Sequence, residues 1–189
     1  MKAHSPRGEK LLYPLSVFDA RNGIVGPAVK AISAEAIPPT LQGLLVGSSE
    51  MTAALEAHFE GPLAIRLLSR HSTRSYFRRV LLVLEKTGLP VGMAAIRVRL
   101  DLLPDAIVAQ IRAERVPFGR IMREVGIGRY ATRPEAFAEV EPNGELSGFF
   151  WRSSSRKMYG RRASMLLDGA KFGEVAEILA DFGTSRTPF

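Results

Sequence analysis

The chain has 189 residues, 46% of them apolar and none of them cysteine, with 26 Lys+Arg against 19 Asp+Glu and a formal charge of +7. The length suits one domain with a sizeable core, and the absence of cysteine excludes disulfides, thiolate metal sites and a thiol nucleophile. No stretch reaches the roughly 18 uninterrupted apolar residues of a membrane span.

Three histidines, His4, His58 and His71, match no metal-binding spacing, so no metal is expected. With no long apolar leader, a cytoplasmic protein is expected. The positive field attracts anions, but the arginines are scattered through patterned segments without a recognition motif, which disfavours nucleic acid and suits a small anionic metabolite.

Residues 1–35 carry Pro6, Gly8, Pro14, Gly23, Gly26 and Pro27 with little periodicity, which predicts an irregular N-terminal arm ahead of a single domain over 36–189. A short proline-opened helix is expected from Pro38 to Val46. A second helix follows from about Ser49 to Phe59, with a serine N-cap and an apolar stripe of Met51, Leu55 and Phe59. From Leu63 the period shortens, and Leu63 to Ser69 and Tyr76 to Leu84 read as strands.

The second of these carries Arg78 among apolar neighbours. Strand alternation places Arg78 with Tyr76, Val80, Leu82 and Leu84, and Arg79 with Phe77, Leu81 and Val83. A guanidinium buried on such a face calls for a carboxylate, from the protein or from a ligand, unless it reaches water along its stem. A third strand has Ile96, Val98 and Leu100 on one face and Arg97 and Arg99 on the other.

Helices are predicted from Pro104 to Glu114 and from Pro117 to Val125, the latter ended by Gly126. Glu135 to Glu141 is a candidate strand, followed by a loop containing Trp151. Tyr159 to Leu167 alternates again, and Asp168-Gly169 is a hairpin signal leading to a last strand, although Val175, Ile178, Leu179 and Phe182 also fit a helical stripe. The fold class expected is α+β, a single antiparallel sheet of about six strands with helical flaps inserted between strands.

Five short segments stand in one order: Ser49-Glu50-Met51-Thr52; Tyr76-Phe77-Arg78-Arg79-Val80-Leu81 with Gly88-Leu89-Pro90; Pro117-Phe118-Gly119-Arg120-Ile121-Met122; Tyr159-Gly160-Arg161-Arg162 with Asp168-Gly169; and Glu177-Ile178-Leu179. In this order, over roughly residues 48 to 182, the chain resembles chorismate pyruvate-lyase. The resemblance implies a cofactor-free lyase that splits chorismate into 4-hydroxybenzoate and pyruvate, as in ubiquinone biosynthesis, acting as a monomer with a dimer as the alternative. It further implies that Arg78 binds the ring carboxylate and Glu177 meets the ring hydroxyl, as catalytic residues, while Met51 and Phe118 supply substrate contacts from two lid helices.

The chain departs from the family at Phe118, where leucine is common, and at Arg79, where an acid can stand and which is expected to face away. Its last hairpin is one residue longer, so Glu174 competes with Glu177 for the pocket. At most one of Arg161 and Arg162 can join Arg78. The alternative function is a non-catalytic effector-binding domain of the same fold, as in some transcription regulators; residues 1–35 are too short and irregular for the DNA-binding helices that precede such domains.

Overall fold

The computed structural model describes residues 11–21, 23, 25–126, 128–150 and 157–181. Seven antiparallel strands, β1 (Ala28–Ile32), β2 (Leu63–Ser72), β3 (Tyr76–Leu84), β4 (Pro90–Val98), β5 (Tyr130–Glu141), β6 (Met158–Leu167) and β7 (Ala170–Ala180), form one sheet in the order β1-β5-β6-β7-β4-β3-β2. Six helices accompany them among the described residues: α1 (Leu15–Arg21), α2 (Pro39–Leu45), α3 (Met51–His58), α4 (Asp105–Ala113), α5 (Phe118–Val125) and α6 (Gly144–Phe149). The α+β class and single antiparallel sheet agree with the sequence, with β1 added to the six strands expected.

Both faces of the sheet are covered, which is why β3 is apolar on both. On one face, α1 and α6 bring Leu15, Phe18 and Leu146 onto Phe77, Leu81, Met93 and Ile178. On the other, α2 and α3 set Leu41, Leu45, Met51 and Leu55 against Val80, Leu82 and Leu179. Beside them, α4 and α5 set Ile107, Ile111, Ile121 and Met122 against Ile96, Val98 and Val175. Each fully buried aliphatic side chain contributes on the order of 1.5–3 kcal/mol.

Several elements differ from expectation for identifiable reasons. Residues 1–10 and 151–156, including Trp151, and Phe182 lie outside the described residues, but the remainder of the expected irregular arm contains α1 and β1. Leu12, Leu15 and Phe18 recur at helical spacing and are buried. Glu50, not Ser49, caps α3, its carboxylate accepting from the Ala53 amide at 3.2 Å. The third strand ends at Val98, and Leu100 belongs to a 3-10 turn over Leu100–Leu102.

The candidate strand at 135 starts at Tyr130 instead, because Pro134 stands at a register shift where its missing N–H is tolerated. The final segment is strand and not helix. Asp168 (φ 50°) and Gly169 (φ 82°) turn β6 into β7 with two left-handed residues, as a two-residue hairpin requires.

Candidate functional site

A cavity lies between the sheet and the helices α3 and α5, with a void of about 470 Å³, mouth included. Val80, Leu82, Ala94, Ile96 and Val175 form its floor, and Met51, Thr52 and Phe118 its roof. The four residues singled out from sequence, Met51, Arg78, Phe118 and Glu177, all line it.

Sheet register places the two charged residues. Arg78 on β3 pairs with Ile96 on β4, which pairs with Val175 on β7, and Glu177 stands two residues further along the same face of β7. Two strand spacings and two residues of rise separate their Cα atoms by on the order of 12 Å.

Arg78 is 2% exposed. Its only hydrogen bond among the described residues is a long one from Nη1 to the Ile111 carbonyl at 3.5 Å, and Nε is buried without a partner. Among the described residues no carboxylate lies within ion-pairing distance of it. Burial pulls its pKa below the ordinary value, while Tyr76 and Glu114 oppose the shift. An arginine stays charged even so, and the cavity therefore contains a desolvated cation with no direct ion pair among the described residues.

Glu177, 6% exposed, is bound differently. Arg161, directly across from it on β6, donates Nε to Oε2 at 2.6 Å. Among the described residues nothing donates to Oε1, which remains available as an acceptor. Glu174 lies on the opposite face of β7, paired with Arg97 at 3.1 Å and Lys171 at 2.9 Å, so it is Glu177 that the hairpin turns towards the cavity. Arg161 thus serves Glu177 and not a second ligand carboxylate, and Arg162 lies 3.4 Å from Glu135. Arg79 faces away as expected, bonded through both terminal nitrogens to Glu145 at 3.1 and 3.0 Å and lying 3.4 Å from Asp19.

The roof is an ion-paired clasp. Glu50 at the head of α3 meets Arg123 of α5 at 2.6 Å, and Glu56 meets Arg123 at 3.1 Å and Arg120. The two helices approach so closely that a Cβ on Gly119 would fall on the Glu50 carboxylate and 2.9 Å from Thr52 Oγ1. A side chain there would have to displace the Glu50 carboxylate from its place between the helices.

Tyr130, which lines the cavity, and Thr132, which accepts from Arg161, were not singled out from sequence. Tyr130 lines the cavity and joins Phe118 and Phe172 in an aromatic trio with centroids 6.0–6.3 Å apart. Burial, reinforced by the Glu177 and Glu50 carboxylates and opposed by Arg161, holds its hydroxyl well above the ordinary pKa, so it remains a donor. Pro134 interrupts the strand pattern that would have revealed both residues. Among the described residues no group of three or more His, Asp or Glu side chains could hold a metal ion, and no helix is long and apolar enough to cross a membrane.

No protein-family model matches the chain, and no curated protein sequence matches it. Solved structures do. The effector domain of PhnF from Mycobacterium smegmatis is similar over 72% of this chain and 91% of its own, at 11% identity and a TM-score of 0.50. The PhnF structure from the same organism is similar over 71% of this chain and 65% of its own, just under two thirds, at 11% identity and a TM-score of 0.47. Gene product SA0254 from Staphylococcus aureus N315 is similar over 72% of this chain and 91% of its own, at 9% identity and a TM-score of 0.48. At these identities the likeness is one of fold, and the fold is chorismate lyase-like, shared with the PhnF effector domain.

Proposed function

We propose that the chain binds a small ring carboxylate, of the hydroxybenzoate and chorismate class, as a ligand-binding domain. One observation carries this reading: a buried guanidinium with no acid partner opens onto a cavity with apolar walls. Leaving such a charge unpaired costs several kcal/mol, and a ligand carboxylate offsets that cost through charge-assisted, two-pronged hydrogen bonds. The ring then lies between Ile96, Val175 and Phe118, and a hydroxyl at its far end donates to Glu177 Oε1. The likeness to a domain described as an effector domain supports retention of the ligand without turnover.

A second reading, chorismate pyruvate-lyase activity, is favoured by the convergence of Met51, Arg78, Phe118 and Glu177 on one cavity. Aromatisation of chorismate is strongly downhill, so a site that holds the reactive conformer and stabilises charge on the departing enolpyruvyl group needs no nucleophile. Arg78 would hold the ring carboxylate in this reading. Glu177 would orient the ring hydroxyl beside the breaking ether bond.

One experiment separates the two. Purified protein is titrated with 4-hydroxybenzoate and incubated with chorismate, without added metal or nucleotide. Saturable binding with no pyruvate released supports the binding domain, and release of pyruvate with 4-hydroxybenzoate establishes the lyase. Neither binding nor products would remove both readings.

A further inference from the structure

We infer that Arg161 is a positioning residue that ties the cavity's carboxylate to the hinge of the roof helix α3, so that a ligand engaging Glu177 also fixes the roof. This rests on the ligand-binding reading above.

The guanidinium is fully buried, at 0% exposure, and all three of its nitrogens are engaged. Nε goes to Glu177 at 2.6 Å, Nη1 to the Ser48 carbonyl at 2.7 Å and the Leu45 carbonyl at 3.2 Å, and Nη2 to Thr132 Oγ1 at 3.2 Å. Thr132 continues the chain of contacts, donating its hydroxyl to the Ser49 carbonyl at 2.8 Å and its amide to the same oxygen at 2.7 Å. The carbonyl that ends α2 and two carbonyls of the link between α2 and α3 are thereby bound to β5 and β6.

No residue from 46 to 50 is fully buried and only Val46 packs against the core, so residues 47–50 depend largely on those polar bonds for their position. It leads directly into Glu50, Met51 and Thr52, which form the cavity wall. Only a planar fork can bridge a carboxylate on one strand, two carbonyls of the link and a hydroxyl on another strand; an ammonium keeps the charge and loses the span. A ligand hydroxyl on Glu177 Oε1 orders the carboxylate, the guanidinium behind it and then the hinge, and by reciprocity a loosened hinge weakens the ligand.

The test is amide hydrogen exchange of the full chain over residues 46–53, free and with saturating 4-hydroxybenzoate or benzoate, which lacks the hydroxyl. In the wild type, 4-hydroxybenzoate should slow exchange of this segment about tenfold more than benzoate does. R161K should exchange faster there when free and lose the difference between the two ligands, while still binding both through Arg78. T132V, which keeps the Arg161 to Glu177 pair and the amide bond to Ser49 but removes the hydroxyl that joins Arg161 to Ser49, should do the same to a lesser degree and carries the test if R161K fails to fold. Equal protection by the two ligands in the wild type, or an undiminished difference in the variants, would overturn the inference alone. Failure of both ligands to bind the wild type would overturn the ligand-binding reading and the inference together.

Discussion

Arg161 and Glu177 stand directly opposite one another on β6 and β7, joined by a 2.6 Å bond inside the sheet, whereas Arg78 two strands from Glu177 has no such partner. The two buried arginines therefore have opposite energetic signs. Replacing Arg161 with methionine strands the Glu177 carboxylate and should cost about 3–5 kcal/mol in chemical denaturation. Replacing Arg78 with methionine removes a desolvated charge at similar volume, and stability should hold or rise by up to about 3 kcal/mol. Equal losses in the two variants would contradict the unpaired state of Arg78.

Gly119 sets the distance between the roof helices. Gly119→Ala should push α5 off Glu50 and Thr52, lowering stability by about 1–3 kcal/mol and weakening binding of a ring carboxylate. Parallel thermal melts and titrations check this, and unchanged affinity would show that the roof does not contact the ligand.

The clasp has a defined pH dependence. Burial raises the Glu56 pKa, but hydrogen bonds from Arg120 and the Leu63 amide, with the charge of Arg120 and the bond from Arg123, outweigh it and leave the group below its ordinary 4.5. A carboxyl depressed on folding contributes stability that is fully present above the unfolded value and is lost as pH falls through the folded one. Unfolding measured from pH 7 down to 3 should thus show a decline beginning below about pH 4.5, part of which disappears in Glu56→Gln. Because Arg123 is well exposed, its own share of that part should stay below about 1 kcal/mol.

Phe118 narrows the roof through its stacking on Phe172 at 6.2 Å. Phe118→Leu should cost about 1–1.5 kcal/mol in stability and admit bulkier ring carboxylates, which comparative titration with 4-hydroxybenzoate and chorismate would reveal. An unchanged preference between the two would place the ligand away from this side chain.

The strands flanking the cavity were legible because alternation and the Asp168-Gly169 turn fix which side chains share a face; alternation singled out Arg78, whereas Glu177 came from the resemblance, with Glu174 as its competitor. Tyr130 and Thr132 were hidden by Pro134, which breaks the pattern at a bulge. The edge strand β1 was hidden because a largely exposed five-residue strand has no buried face to mark it. Arg161 was visible as a basic residue, but its partner depended on the register between β6 and β7, a tertiary property that no local pattern encodes.

The most direct measurement is a calorimetric titration of 4-hydroxybenzoate into the wild-type chain and into Arg78→Met, with the fold of both confirmed by circular dichroism. The wild type should bind one equivalent saturably, and the variant should bind at least tenfold more weakly, the loss of a charge-assisted carboxylate contact of about 1.5–3 kcal/mol. Identical affinities, or a wild type that binds no ring carboxylate at all, would contradict a cavity built around the Arg78 guanidinium.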